Sequence, residues 1–288
     1  MVRVALTILT VALLGGDALA ASSSPWVIGP AEARRALARG ALLLDVRGAA
    51  AFRRGHVPGS QRVSWRQLSR RGHLASKAAL KRALSALGVR RNQAVLVAGD
   101  PAKGWGDDGR VVWTLRSVGH DKAALVDGGV PALRGTGVRL TTGAPGRATA
   151  TRFTVRLRRR WSISVGEVKK RLGDKTTAFI DAREHREFRG ATPYGERRGG
   201  HLLGALHLHY RSLLDKRGRL LPTATLRRRL RALGLKKTTP VVAYCTGGVR
   251  SAWLVVVLRH LGYTRVRNYA GSMWEWAALP AATHPLVR

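Results

Sequence analysis

The sequence predicts an α/β fold made of two tandem copies of one unit, each a mainly parallel sheet flanked by helices on both faces. Short apolar runs rich in β-branched residues alternate with helical patterns, an order typical of parallel sheets. The same short motifs return in the same order in both halves of the chain. The length of 288 residues, of which 45% are hydrophobic, is enough for two separate cores.

The N-terminal residues have the pattern of a secretory signal. A charged start at Met1-Val2-Arg3 precedes an apolar run over 4–14 and the small residues Ala18-Leu19-Ala20. We therefore expect a signal peptide over 1–20, cleavage after Ala20, and a protein exported to the periplasm or the extracellular space. The apolar run is too short to span a bilayer, and no later run reaches the roughly 18 residues that a span needs, so no membrane span is expected.

Apolar runs and composition divide the rest of the chain. The first unit should span residues 25–140 and the second 152–288, joined by a linker over 141–151 that is poor in large apolar residues. Each unit contains three runs that predict buried strands, at 42–46, 94–97 and 123–126 in the first and at 178–180, 241–244 and 266–269 in the second.

Two motifs recur with similar spacing in the two units. Asp45-Val46-Arg47 and Gly55-His56-Val57-Pro58-Gly59 return as Asp181-Ala182-Arg183 and Gly200-His201-Leu202-Leu203-Gly204. The second unit carries extra residues between its two motifs, which predicts an added loop. Asp181 and His201 are expected to organise loops through hydrogen bonds rather than to transfer protons.

Cys245 is the only cysteine of the chain. It follows an apolar run and precedes a glycine-containing loop and a helical stretch, which places its sulfur at a helix N-terminus with Arg250 beside it. Both features favour the thiolate and predict a nucleophile. The alternative is a buried structural cysteine, but such a residue needs neither two glycines nor an arginine in its loop. The equivalent position in the first unit is Gly99, so that unit lacks the thiol.

The charge is strongly positive, with 52 Lys and Arg against 16 Asp and Glu, a net charge of +36. Such a field concentrates small anions and also attracts polyanions without specificity. The sequence has no zinc-finger spacing, RNA-binding aromatic motif or heptad-linked basic region. We therefore expect a solvated basic surface and no specific nucleic-acid partner.

Together these pieces resemble the tandem-domain rhodaneses, the thiosulfate and 3-mercaptopyruvate sulfurtransferases. The resemblance covers nearly all of residues 25–288 and rests on the repeated motifs, the Cys245 loop and the closing segment 269–276. In that family the N-terminal domain has usually lost its cysteine and the C-terminal domain carries catalysis. The resemblance implies two rhodanese-like domains and an enzyme that requires neither a cofactor nor a metal.

The resemblance also implies a mechanism. Cys245 would take a sulfane sulfur from an anionic donor, thiosulfate being favoured over 3-mercaptopyruvate, hold it as a persulfide, and pass it to cyanide or a thiol. Arg250 and Arg183 would hold the anionic group of the donor, although Arg183 could equally form a structural ion pair. Where the family often has another substrate-binding arginine, this chain has Glu187. The cradle for the sulfur would come from Thr246, Gly247, Gly248, Val249 and Ser251.

Two other functions fit parts of the sequence. A cysteine phosphatase also uses a thiolate in a glycine loop closed by arginine, but Cys245 to Arg250 is Cys-x4-Arg, one residue shorter than the Cys-x5-Arg of those enzymes. A noncatalytic binding or scaffold protein could use the basic surface and keep both units as a platform. The sequence predicts no particular oligomeric state.

Overall fold

The computed structural model describes residues 24–288, so the predicted signal peptide lies outside the described residues. Strands and helices alternate in both units, as the apolar runs predict. The strands of the first unit are β1 (Val27–Ile28), β2 (Leu42–Asp45), β3 (Gln61–Arg62), β4 (Ser69–Arg70), β5 (His73–Leu74), β6 (Val95–Ala98) and β7 (Ala123–Val126). Its helices are α1 (Pro30–Ala38), α2 (Ala49–Arg54), α3 (Lys77–Ala86), α4 (Asp107–Ser117) and α5 (Gly129–Arg134).

The second unit repeats this order with fewer strands. Its strands are β8 (Ala178–Asp181), β9 (Leu206–His207), β10 (Val241–Tyr244) and β11 (Val266–Asn268). Its helices are α6 (Val165–Arg171), α7 (His185–Phe188), α8 (Thr223–Ala232), α9 (Val249–His260) and α10 (Ser272–Trp276). Single 3₁₀ turns occur at Trp65–Leu68, Arg159–Trp161 and Tyr210–Leu213. No helix or strand interrupts 135–158, the stretch that contains the predicted linker.

Each unit is built on a parallel sheet. The strand order is β1-β7-β6-β2-β3 in the first and β11-β10-β8-β9 in the second, and every neighbouring pair in both sheets runs parallel. The second sheet has a single bridge from Ser162 to Asn268 where the first has β1. β4 and β5 form a separate antiparallel pair. The α/β prediction with two tandem parallel sheets is therefore confirmed.

The Asp-x-Arg motif forms the same local structure twice. In the first unit the Arg47 Nη2 donates to Asp45 Oδ2 at 2.6 Å and to the Gly55 carbonyl at 2.7 Å. One arginine thus ties the end of a central strand to the following Gly-His turn. The second unit repeats both bonds at the same distances with Asp181, Arg183 and Gly200.

The two units pack against each other through α4 and α9. A Cβ at Gly109 of α4 would lie 2.5 Å from the Trp253 Cα of α9, so a larger residue there would force the helices apart. Residues 249–258 of α9 are all buried, as expected of a helix that is covered on every side. Because the Cys245 loop leads directly into α9, this packing brings the first unit against that loop. Among residues 24–288, no helix has both the length and the apolar character that crossing a membrane requires.

Candidate active site

Two glycines shape the loop between β10 and α9. Gly248 has φ 76°, in the left-handed region that favours glycine, and caps the N-terminus of α9. A Cβ at Gly247 would overlap the ring of Trp274. α9 begins at Val249, four residues after Cys245, so the cysteine lies close to the unpaired N–H groups of the first helical turn.

The loop folds around the sulfur of Cys245, which is only 1% exposed. The Gly248 amide donates to Sγ at 3.1 Å, and the Ser251 hydroxyl lies 3.5 Å from it. Burial raises the pKa of the Cys245 thiol, but the Arg250 charge and hydrogen bonds from Ser251 and the Gly247 amide outweigh it and hold that pKa below its usual value. The site therefore favours a thiolate at the start of a 12-residue helix.

Arg250 forms a buried ion pair with Glu187. Its Nη1 and Nη2 bond to Glu187 Oε2 and Oε1 at 2.6 and 2.7 Å, and both side chains are buried. The Thr246 hydroxyl accepts from Arg250 at 2.6 Å and lies 2.7 Å from Glu187 and 3.1 Å from Glu196. Burial raises the pKa of Glu187, but bonds and charge from Arg250 overcome this and lower it, so the pair is ionised. Arg250 helps to form the cavity wall, and both of its terminal nitrogens donate to Glu187.

The structure does not bring Arg183 to the cysteine. Its guanidinium is fully buried, is held by Asp181 and the Gly200 carbonyl, and does not line the cavity at Cys245. Arg183 forms the ion pair that was the alternative to donor binding. The reason is geometric, because the Asp181 carboxylate lies two residues earlier, at the end of the same strand, and accepts hydrogen bonds from the Arg183 guanidinium.

Asp181 and His201 make loop-organising contacts. Asp181 is buried and accepts from both the backbone and the side chain of Arg183. The His201 Nδ1 lies 2.9 Å from the Phe188 carbonyl, and its ring stacks on Phe188 at 3.6 Å. His56 makes the same pair of contacts with Phe52 in the first unit. Neither Asp181 nor His201 lines the cavity at Cys245.

A cavity of about 150 Å³ opens onto the cysteine between the two units. Aromatic side chains form much of its wall, and several of its residues come from the first unit, which carries no thiol. The lining residues of the first unit are Trp65, Arg66, Trp105 and Asp107. Those of the second unit are Tyr194, Cys245, Thr246, Gly247, Val249, Arg250 and Trp274.

Arg66 is a site residue that the sequence did not reveal. It lines the cavity with its guanidinium 4.7 Å from the centre of the Trp65 ring, and among residues 24–288 it has no carboxylate within ion-pair distance. No signal could have singled it out, because it lies in the other unit and is one of 52 Lys and Arg residues.

The equivalent position in the first unit holds no nucleophile. Gly99 follows β6 as Cys245 follows β10, in agreement with the predicted register. A Cβ at Gly99 would lie 3.0 Å from Asp108 Oδ2, so a carboxyl group fills the space beside this loop. Burial raises the pKa of Asp108 to about 7. The cavity here is larger, about 350 Å³, but without a thiol it cannot form a persulfide.

Comparison with known proteins gives a consistent result. Residues 29–135 and 164–279 each match the family model of the Rhodanese-like domain. The chain is 31% identical over 265 residues to the thiosulfate sulfurtransferase of Pseudomonas aeruginosa, a match that covers 90% of this chain and 96% of that protein. It is 29% identical over 252 residues to thiosulfate/3-mercaptopyruvate sulfurtransferase 2 of Arabidopsis thaliana, covering 78% of this chain and 73% of that protein.

Solved structures share the fold. SseA from Escherichia coli, described as a 3-mercaptopyruvate sulfotransferase with the rhodanese fold, superposes with a TM-score of 0.75 at 22% identity and covers 86% of this chain and 99% of its own. Tum1 from Saccharomyces cerevisiae gives 0.76 at 21% identity over 88% of this chain and 94% of its own. The two domain matches and the 31% identical relative show that this chain belongs to the rhodanese family and is a sulfurtransferase with two Rhodanese-like domains in tandem.

Proposed function

We propose that this enzyme moves a sulfane sulfur from thiosulfate, through a persulfide on Cys245, to cyanide or a thiol acceptor. One observation carries the proposal: the Sγ of Cys245 accepts an N–H from Gly248 at the N-terminus of α9 and faces an interdomain cavity. This arrangement stabilises negative charge on sulfur both before and after transfer.

The transfer balances in two steps. The Cys245 thiolate attacks the outer sulfur of thiosulfate, a new S–S bond forms, the S–S bond of the donor breaks, and its electron pair leaves with sulfite. Cyanide or a thiolate then attacks the outer sulfur of the persulfide, and Cys245 leaves as a thiolate. The Gly248 amide, which donates to the thiolate, is in place for this returning charge, and the Ser251 hydroxyl lies 3.5 Å from the sulfur.

Arg66 takes the donor-binding role that the sequence assigned to Arg183 and Arg250. Arg250 is bound to Glu187 and Arg183 is buried away from the cavity, whereas Arg66 lines the cavity without a carboxylate partner among the described residues. A small dianion suits a cation that lines the same cavity as the thiolate. The net charge of +36 would further concentrate anionic donors near the protein.

Steady-state assays test the donor assignment. Thiocyanate formation from cyanide should be supported by thiosulfate with a higher kcat/KM than by 3-mercaptopyruvate, and Cys245→Ala should abolish both reactions. A higher kcat/KM with 3-mercaptopyruvate would reassign the donor and leave the persulfide step intact. Activity with thiosulfate that survives Cys245→Ala would contradict the proposed nucleophile.

The geometry does not favour phosphate-ester cleavage. A phosphatase loop needs an arginine fork that is free to hold the phosphate oxygens, and here Glu187 occupies both terminal nitrogens of Arg250. Phosphatase activity that is lost in Cys245→Ala, together with no sulfur transfer, would overturn this conclusion. A scaffold role would instead show as tight, salt-dependent polyanion binding that Cys245→Ala leaves unchanged, with no sulfur transfer.

We also propose that the protein is exported after cleavage behind Ala20. The charged start, short apolar run and small-residue site of residues 1–20 support this. A single cysteine cannot close an intrachain disulfide in an oxidising compartment, and Cys245 is further shielded by burial. The intact mass of protein purified from its native cells should correspond to a chain that starts at Ala21. A retained N-terminus in a cytosolic fraction would refute export.

A further inference from the structure

The N-terminal domain places a buried arginine against the cysteine loop. Arg110, in α4, is 0% exposed. Its Nη1 donates to the Gly248 carbonyl at 2.9 Å and its Nη2 to the Gly72 carbonyl at 2.6 Å, while its guanidinium packs 4.7 Å from the centre of the Trp113 ring. Gly248 is also the residue whose amide donates to Cys245 Sγ. A cation of one domain therefore bonds the residue of the other that binds the sulfur.

Arg110 has no carboxylate to balance its charge. Within residues 24–288 no Asp or Glu lies within ion-pair distance of it, and its Nε has no hydrogen-bond partner. An unpaired buried charge is costly, and such groups are normally paired. Burial lowers the pKa of Arg110 to about 10, and the Cys245 charge acts in the opposite direction, toward a higher pKa. The anionic sulfur is thus the natural counter-charge for this guanidinium.

The other cation near the sulfur, Arg250, is paired with a carboxylate. Arg250 forms two bonds to Glu187, and its neighbour Thr246 also contacts Glu196. Glu187 therefore offsets part of the Arg250 charge, and the remainder lowers the pKa of the Cys245 thiol. Arg110 remains as a nearby cation whose field is not neutralised by a paired carboxylate.

We propose that Arg110 is a positioning residue supplied by the N-terminal domain, which orients the Gly248 amide toward Cys245 and stabilises the thiolate and the persulfide anion. This inference rests on the proposed role of Cys245 as the nucleophile. The N-terminal domain, which lacks a cysteine, would thereby contribute to the reaction at Cys245 of the C-terminal domain. Asn268 supports the same carbonyl, since its Nδ2 donates to Gly248 O at 3.2 Å, but it brings no charge.

The test is the pH dependence of Cys245 alkylation by iodoacetamide, followed by intact mass. Arg110→Met removes the cation but keeps an unbranched apolar chain, and it should raise the thiol pKa by about one unit, which slows alkylation about tenfold at a pH well below the wild-type thiol pKa. Arg110→Lys keeps a charge at this place and should recover most of the shift. Both variants should also show lower kcat, because the Gly248 amide is less firmly held.

A matched control lies on the same helix. Arg116 is also buried, but its guanidinium bonds the carbonyls of Ala123, Ser24 and Pro25 and packs on the Trp26 ring. Arg116→Met should change stability without moving the alkylation profile. A shift equal to that of Arg110→Met would mean that loss of any buried arginine of α4 perturbs the thiol, and would overturn the proposal.

The choice of neutral Arg110 variant depends on whether the variant folds. If circular dichroism shows that Arg110→Met does not fold, Arg110→Gln replaces it, because it can still donate to the Gly248 carbonyl but carries no charge. A folded neutral variant with the wild-type alkylation profile overturns the inference. Alkylation reports on Cys245 whether or not it accepts sulfur. A wild-type protein that forms no persulfide would therefore refute the proposed function, whereas a persulfide together with an unshifted thiol pKa refutes Arg110 alone.

Discussion

Replacing Glu187 by Gln should separate stability from thiol reactivity. Glu187 is fully buried and holds Arg250 through two bonds of 2.6 and 2.7 Å. Glutamine has nearly the same shape and can still accept one of these bonds. The substitution therefore removes the negative charge with little change in packing, and it leaves the Arg250 charge uncompensated beside Cys245.

The stability cost follows from burial of the pair. Removing one partner of a buried ion pair typically costs about 3 to 5 kcal/mol, and the remaining hydrogen bond of glutamine reduces this to about 2 to 4 kcal/mol. The same substitution should also change the pKa of the Cys245 thiol. Since a larger share of the Arg250 charge now acts on Cys245, the pKa of the thiol should fall further below its usual value.

The unfolding free energy of Glu187→Gln should also depend less on pH in the acid range than that of the wild type. The folded-state pKa of Glu187 is lowered from its usual 4.5, so its contribution is fully present above 4.5 and is lost as the pH falls through the folded value. Glu187→Gln cannot show this loss. The difference in unfolding free energy between wild type and variant should therefore be constant above pH 4.5 and shrink as the pH falls below 4.5.

Urea denaturation measures the loss of unfolding free energy, and the pH dependence of alkylation measures the pKa of the Cys245 thiol. Glu184→Gln is the control, because Glu184 pairs with an Arg186 side chain that is 58% exposed, and such a pair contributes about 0 to 1 kcal/mol. If Glu187→Gln were no more destabilising than Glu184→Gln, the buried pair would not stabilise the fold as argued. A thiol pKa that rises in Glu187→Gln would refute the charge balance assigned to Arg250.

Three further predictions concern the loop, the donor and pH. Gly248→Ala should destabilise the fold by more than about 1 kcal/mol and lower kcat, since its φ is 76° and a Cβ would overlap the Ala270 backbone. Gly204→Ala, at φ 74° with open space, should show the smaller cost of backbone strain alone in urea denaturation. Arg66→Gln should raise the KM for thiosulfate about fivefold or more with little change in kcat, whereas exposed Arg70→Gln, outside the cavity, should leave KM unchanged in the same thiocyanate assay. Finally, kcat/KM for thiosulfate should rise with pH and level off below 9.0, the usual thiol value, because the thiol pKa is lowered; a rise that continues beyond pH 9.0 would contradict a stabilised thiolate.

Local patterns predicted the fold well because burial in a parallel sheet leaves a direct trace in sequence. The apolar runs at 123–126 and 241–244 coincide with β7 and β10, and the run at 266–269 differs from β11 by one residue. The glycine loop and following helix likewise placed Cys245 correctly after its strand. These features depend on residues adjacent in the chain.

Charge pairing could not be predicted in the same way. The partner of Arg250 is Glu187, 63 positions away, and only the folded chain brings them together. Two roles stayed open for Arg183, because the sequence alone does not show whether the nearby Asp181 faces it. Arg66 and Arg110 belong to the other domain and carry no local motif, in a sequence with 52 basic residues. The contribution of the first domain to the site is thus a property of the interface between the two domains.

Formation of the persulfide can be observed directly by intact mass spectrometry. Wild-type protein incubated with thiosulfate and separated from it should gain the mass of one sulfur atom, and addition of cyanide should remove that sulfur as thiocyanate. Cys245→Ala should gain nothing. A wild-type mass that does not change with thiosulfate or 3-mercaptopyruvate, or an equal gain in Cys245→Ala, would contradict sulfur transfer through Cys245.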